Sequence, residues 1–454
     1  MRFTSNSSGY DYTKQYKGGF SEGADKLRKE IRASKNTEDI YEIKGKKYYI
    51  SRDMSLSDIP ENLAPGDAAL FERGGLWRVG DREKFFVPKG VIFGAYGEGD
   101  KPRLYGSYKN YADKSLWEKE SDNIWRVQLY GRNVGSIVFD EIAALGVKKW
   151  QFEDLKENYD FYYDGESEKM WLFYEGEPWE DFYDIEICQR GTVLQLLDNA
   201  TADNLFVGYC GSHAIAAGYG RDGITVTNCE IGYVGGAMQF GQTRFGNGIE
   251  LQIGATNATV RHNYVYQCYD AGITFQTWSS AKLDSHYHNI DFSDNLIEFC
   301  TYGIEYFTTD YESNGLYSDY KNIRFTNNII RFSGYEWSYN QRPDKWMVSH
   351  IRGGQWAWVK DCEDFIISDN VFDCSHAFIV FWWWHDESKN YIHLEPHNGL
   401  TVKNNTYYHA PNGDSRCMNY HINTPVYAEN LEELKSAVAL FDKNPKDIIW
   451  VDNI

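Results

Sequence analysis

Short stretches of this chain alternate apolar and polar residues, and from about residue 192 the alternation is punctuated by asparagine at recurring places. The asparagine closes "TADN" at Asn204, "VRHN" at Asn263, "FSDN" at Asn295, "FTNN" at Asn328, "ISDN" at Asn370 and "VKNN" at Asn405. In "VTNC" the equivalent place falls to Cys229. A second element pairs a small residue with an apolar one and a short strand: "AIAAG" at 214, "GIELQ" at 248, "GITFQ" at 272, "GIEYF" at 303, "HIRGG" at 350 and "AFIVF" at 377. From Ile249 to Asn263 is 14 residues and from Asn263 to Ile273 is 10, so an uninterrupted coil is 24 residues long.

Strands returning at that interval, with Asn at one turn, predict an all-β right-handed parallel β-helix in which the Asn amides stack from coil to coil. A leucine-rich repeat would need a Leu/Asn consensus that is missing, and a propeller a longer period. Cys210, Cys268, Cys300 and Cys374 follow the turn Asn at similar offsets and are expected to form one inward column. The eight cysteines contain no CxxC pair, which argues against a zinc ribbon or a disulfide framework.

Departures from the coil length mark where function lies. Extra residues follow the "GIxxx" strand at 277–288, 308–320 and 382–397, and precede it at 233–246 and 335–349. These two sets are expected to rise as walls along one sheet with a groove between them, the face on which repeat scaffolds carry function. Strand alternation turns Ile249, Ile273, Ile304, Ile351 and Phe378 inward, so Glu250, Thr274, Glu305, Arg352 and Ile379 line the groove floor, followed by Gln252, Gln276, Phe307 and Gly354. Asp270 has the same parity where its strand begins. A solvated ion-pair ladder would account for such charges, but walls on both sides and the lack of Lys in the column favour chemistry. Glu250, Asp270 and Glu305 are the catalytic candidates. Arg352, Gln252, Gln276, Thr274, Trp278, Arg244, His385 and Trp382 are candidates for holding substrate.

Four segments are expected: a leading segment with a helix over residues 1–39, irregular early coils with insertions over 40–190, regular coils over 191–410, and a closing cap over 411–454. "EGADKLRKEIRAS" (22–34) and "NLEELKSAVALFDK" (430–443) have helical periodicity and are expected to cover the two ends of the solenoid. "DFYYDGESEKMWLFYEGEPW" (160–179) predicts a hairpin turning at "DGES".

Composition narrows the partners. Aromatic residues make up 17% of the chain, with 35 Tyr and 15 Trp, and ring faces of this kind pack against the C–H-rich faces of sugars. The formal charge of −20 argues against nucleic acid and anionic membrane. No stretch is long and apolar enough to span a bilayer. The opening "MRFTSNSSGYDYTKQYKGG" lacks the apolar core of a secretory signal, so the chain as written is expected in the cytoplasm, or outside the cell if a signal has been trimmed.

The repeat, with "PGDAALFERGG…GVIFGAYGEGDKPRLYGS" near the start and "GNGIE…YDAGIT" in the centre, resembles the right-handed parallel β-helix proteins that act on carbohydrates: glycoside hydrolases, polysaccharide lyases and uronate epimerases. The resemblance covers most of residues 60–410 and implies an oligosaccharide or polysaccharide substrate. It leaves three functions open. A glycoside hydrolase would use paired carboxylates and no cofactor. A lyase or epimerase would neutralise a uronate with calcium or Arg352 and take a proton with Tyr306, His350 or His385. A glycan-binding solenoid would not need several carboxylates at one level.

Overall fold

A computed structural model describes residues 16–452 apart from 80–83, 131–132, 142, 278–281, 309–315, 354–360, 383–398, 410–415 and 420–424. Among the substrate-binding candidates, Trp278 and His385 lie outside the described residues, as do Gly354 and the side chain of Trp382.

The repeat folds as a three-sided parallel β-helix, its coils joined in the right-handed sense that parallel β connections adopt. The first sheet runs in parallel register from Lys47–Ile50 through Ala255–Arg261, Ser285–Ser293 and Ser318–Thr326 to Leu400–Lys403. After the Asn corner each coil crosses the second sheet, which includes Phe206–Cys210, Glu230–Val234, Ile329–Arg331 and Val371–Asp373. It then bends into the third sheet, which carries Ile215–Gly218, Ile249–Gln252 and Ser349–Gly353. In two central coils one long strand, Tyr264–Gln276 or Leu296–Phe307, serves both sheets. Its register shifts at the bend, between Cys268 and Ala271.

The Asn column is a hydrogen-bonded ladder. The Asn263 amide donates to Asn295 Oδ1 at 3.0 Å, Asn295 to Asn328 at 2.9 Å, and Asn328 to Asn370 and Asn370 to Asn405 at 3.0 Å each. Asp442 ends it by accepting from Asn405 at 3.0 Å. Each amide also donates to a backbone carbonyl of the preceding coil, as from Asn295 to Val260 at 2.9 Å. The residue before each Asn (His262, Asp294, Asn327, Asp369, Asn404) has φ between 55° and 59°, a left-handed corner that aims the amide inward. Asn263→Ala, Asn295→Ala and Asn328→Ala should each cost about 1–3 kcal/mol, because every deletion orphans a buried backbone group. Urea denaturation checks this, and wild-type midpoints in all three would remove the ladder's structural role.

The core between the sheets holds the repeat Ile column, a Phe292–Phe325 stack at 4.6 Å, and Phe275 stacked on Tyr306 at 5.9 Å. Cys210, Cys268 and Cys300 share one register inside it. Cys374 departs from the expected column. It adopts φ 61°, in the left-handed corner place that Gln267, Phe299 and Phe332 hold in the earlier coils, and packs outside the helix with Phe332 and Tyr335, because it follows its turn Asn by four residues where Cys268 and Cys300 follow theirs by five. Val380, not Phe378, pairs with Ile351, so Ile379 is buried in the core and Phe381 stands level with Arg352.

Three further expectations are corrected. The first helix, Ser21–Arg32, does not cap an end; Ala24 and Ile31 pack on Tyr264, Leu296 and Ile329 on the outer face of the second sheet. Its companion, Leu431–Val438, does close the core with Leu434, Ala437 and Val438. Residues 47–105 form regular coils, while 106–191 form a separate antiparallel unit with its own aromatic core. That unit includes the hairpin Asp160–Asp164 with Lys169–Phe173. The first-sheet strands Ser285–Ser293 and Ser318–Thr326 take up the ends of the insertions expected at 277–288 and 308–320.

Candidate active site

Three outgrowths leave the helix at the corner between the second and third sheets: the 106–191 unit, the hairpin Ala237–Phe240 with Thr243–Phe245, and the segment 333–348. They interlock. Gln341 accepts from the Lys148 backbone N–H at 3.1 Å, and Asn133 from that of Met238 at 2.8 Å. Gly235 and Gly246 let the hairpin leave and return at one point, since a Cβ on Gly246 would lie 2.2 Å from the Gly235 Cα. This continuous wall borders the floor of the third sheet.

On that floor the parallel register sets Glu250, Thr274, Glu305 and Arg352 side by side. The alternation works as expected here: Ile249, Ile273, Ile304 and Ile351 are in the core, so the next residue faces the groove. Two rungs separate Glu250 from Glu305, about 10 Å between backbones at roughly 4.8 Å per rung. On the middle rung the buried Thr274 hydroxyl has no hydrogen-bond partner among the described residues.

Glu250 is 1% exposed. Its Oε1 accepts from Gln276 Nε2 at 2.6 Å and from Gln252 Nε2 at 3.0 Å, so both amides expected on substrate orient this carboxylate. His213 Nδ1 lies 2.6 Å from Oε2. The same nitrogen accepts from the Asn247 backbone N–H at 3.2 Å. Burial alone would raise the proton affinity of Glu250. The imidazole and the amides more than offset that, and its pKa lies below the ordinary carboxylate value.

Glu305 is driven the other way. Burial raises its pKa, Arg352 offsets part of the rise, and the charges of Asp270 and Glu250 add to it, so it is pushed up to about 7. Arg352 is hydrogen-bonded to Oε1, which leaves the second oxygen to carry a proton. The Arg352 guanidinium lies 4.4 Å over the Tyr302 ring, which fixes it in place.

Asp270 stands where the two sheets meet. Its Oδ1 accepts from Arg342 Nη1 at 3.0 Å and its Oδ2 from the Gly246 backbone N–H at 3.2 Å. Burial raises its pKa against the pull of Arg342. Arg342 also bonds Asp344 through Nε and Nη2, both at 2.9 Å, and lies 4.4 Å over the Tyr269 ring. Arg244, expected to meet substrate, is built into the wall instead. It is 6% exposed, bonds the carbonyls of Gly236 and Gly135, and stacks over Tyr269 and Trp337 at 4.7 and 5.5 Å. Arginine and aromatic rings thus alternate from Trp337 through Arg244, Tyr269, Arg342 and Tyr302 to Arg352.

Tyr306 and His350, candidate bases for an elimination, are buried in the core. Burial lowers the His350 pKa to about 3, and its Nδ1 is 2.9 Å from Ser333 Oγ. His213, Asn247 and Tyr302 were missed. All three stand two places before the repeat Ile, a column readable from the sequence once the coils are superposed. Arg342 and Asp344 come from a wall segment outside the repeat and carried no such signal. Beyond Arg352 the floor turns apolar at Phe378 and Phe381, with Trp346, 44% exposed, 5.7 Å from Phe381.

Fold and site define a parallel β-helix with a walled, carboxylate-bearing groove. No family model matches the chain, and no curated protein does. Solved structures share its architecture loosely. A lacto-N-biosidase from Eubacterium ramulus is 12% identical over 92% of this chain and 68% of its own, with a TM-score of 0.42. An alginate lyase from a Paenibacillus species is 9% identical over 90% and 98%, with a TM-score of 0.40. XylC in complex with xylose is 10% identical over 89% and 82%, with a TM-score of 0.37. Likenesses this distant carry no functional argument.

Proposed function

We propose that the protein is a carbohydrate-active enzyme, a glycoside hydrolase acting with inversion on a neutral oligosaccharide or polysaccharide. One observation carries this: two carboxyls stand on one groove column, two rungs apart, and their surroundings shift their proton affinities in opposite directions from the ordinary carboxylate value. Glu305 is the general acid. It gives its proton to the glycosidic oxygen as the bond to the anomeric carbon breaks, and the leaving sugar departs as an alcohol. Glu250 is the general base. It takes a proton from the water that adds to the opposite face of that carbon, with His213 Nδ1 2.6 Å from its Oε2. A backbone separation of about 10 Å allows side-chain tilt to set the carboxyls within the range of about 6.5–9.5 Å that leaves room for the water.

The balance of charge supports a neutral substrate. Among the described residues, Asp270 and Asp344 pair with Arg342, Glu305 with Arg352 and Glu250 with His213, so these cations are already taken by carboxylates. The burial of Tyr306 and His350 weighs against lyase chemistry. Trp346 offers a ring on which a sugar can stack.

The test is a panel of defined oligosaccharides followed by NMR of the anomeric protons in the first minutes. Inversion is expected. Retention would replace Glu250 by Asp270 as the partner of Glu305, because a retaining pair stands about 5–5.5 Å apart. Absorbance near 235 nm from an unsaturated uronide, or saturable binding with no turnover on any glycan, would overturn the hydrolase.

A further inference from the structure

A second cluster of chemical side chains lies on the outer face of the first sheet, away from the groove floor. His286 and His288 are two apart on Ser285–Ser293, so both project outward while Tyr287 between them is buried in the core. The in-register partner of His286 on the next coil is Asp319. His286 Nδ1 is 2.7 Å and His288 Nε2 is 2.9 Å from the same oxygen, Asp319 Oδ1. The three ligating atoms lie within 4.8 Å of one another. Asp319 is 3% exposed at its side chain, His288 28% and His286 46%, which leaves a buried carboxylate as the base of the cluster and one side open to solvent.

We propose that His286, His288 and Asp319 form a binding site for a divalent transition ion, Zn²⁺ foremost, with an open position facing solvent. Two imidazoles and one carboxylate are the donor set that suits Zn²⁺, and small rotations of the rings bring three donors to about 2.0–2.2 Å from one ion. The ring nitrogens that lie against Asp319 Oδ1 are the ones that would hold the ion, so protons and metal compete for the same atoms and affinity rises with pH. Lys321 tunes the site. Its ammonium is 3.2 Å from Asp319 Oδ2, which leaves Oδ1 as a single-oxygen ligand and places a positive charge beside the ion. Because its ligands come from two successive coils, on strands that follow the wall insertions, a bound ion would pin those coils together outside the catalytic groove.

The site is tested on the metal-free full-length chain by calorimetric titration with Zn²⁺, by Co²⁺ absorption, and by the melting temperature with and without Zn²⁺. None of these depends on glycosidase activity. One Zn²⁺ per chain at micromolar affinity, a tetrahedral Co²⁺ spectrum and a raised melting temperature are expected. His286→Ala, at the more exposed ring, should keep the fold and weaken binding at least about tenfold, and His288→Ala should do the same. Lys321→Met should bind several-fold more tightly, since it removes a repelling charge. No saturable binding by the wild type up to about 1 mM Zn²⁺, far above the affinities of ordered zinc sites, would overturn the proposal. So would unchanged affinity in both histidine variants, which would leave the cluster as a hydrogen-bonded pair on an aspartate.

Discussion

Turnover in Glu305→Gln should fall about 10²–10⁴-fold, the contribution of a positioned general acid. Gln cannot supply the proton, yet it fills the same volume beside Arg352. The loss should appear in kcat more than in KM, because the proton moves only in the transition state. The pH profile adds a signature that misfolding would not mimic. With Glu305 pushed up to about 7, wild-type activity should decline as the pH rises through that value and the acid ionises. Glu305→Gln should lack this limb. Glu250→Gln should lose turnover by a similar factor and abolish the acid limb instead. That limb lies below the ordinary carboxylate range, because His213 and the amides hold Glu250 ionised. Asp270→Asn keeps its contact with the Gly246 N–H and should lose less if inversion is the course. Near-wild-type turnover in both Glu variants, with melting unchanged, would end the hydrolase proposal.

Arg342→Met should destabilise the fold by about 3–5 kcal/mol, the cost of removing one partner from a buried ionic cluster. The guanidinium is 3% exposed, bonds both Asp270 and Asp344, and lies over the rings of Tyr269 and Tyr302. Without it two carboxylates face each other in a largely dry corner, and the raised proton affinity of Asp270 should rise further. Urea denaturation at pH 8 and pH 5 measures both effects. The deficit should be larger at pH 8, where the orphaned carboxylates remain charged, and smaller at pH 5, where protonation relieves them. Arg342→Lys should recover only part of the loss, since an ammonium cannot reproduce the paired bonds to Asp344. An unchanged midpoint in Arg342→Met would show that the Arg–aromatic stack is not what holds the wall to the floor.

The two sets of variants act on parts of the molecule that were unequally visible in the sequence. The Asn ladder, the inward Ile column and the Glu250–Thr274–Glu305–Arg352 rungs follow from local rules. Residues in one sheet repeat at a fixed interval, and a strand turns alternate side chains to opposite faces. Those rules place a residue correctly only where its strand is matched to the right offset from the turn Asn. In the coil of Cys374 the small-then-apolar pattern falls on Ala377 and Phe378, whereas the residue in register with Ile351 is Val380, ten residues after Asn370 as Ile273 is after Asn263, so Ile379 lies in the core and Phe381 on the floor. The first helix was legible as a helix, but its place was not. Nothing in its apolar stripe distinguishes the open end of a solenoid from the aromatic face of its second sheet.

The sequence by itself therefore determined the β-helix, the groove and the order of carboxylates along its floor, because each depends on neighbours separated by one coil. Only the tertiary structure decided what surrounds those carboxylates. His213 beside Glu250, Arg352 on Glu305, and Arg342 between Asp270 and Asp344 are pairings set by burial and by wall segments that obey no repeat. The same holds for Arg244, which the packing of the 106–191 unit removed from the groove. The proton affinity of a carboxyl depends on the charges and dielectric within a few ångströms of it. That environment is assembled from parts of the chain that local pattern does not connect.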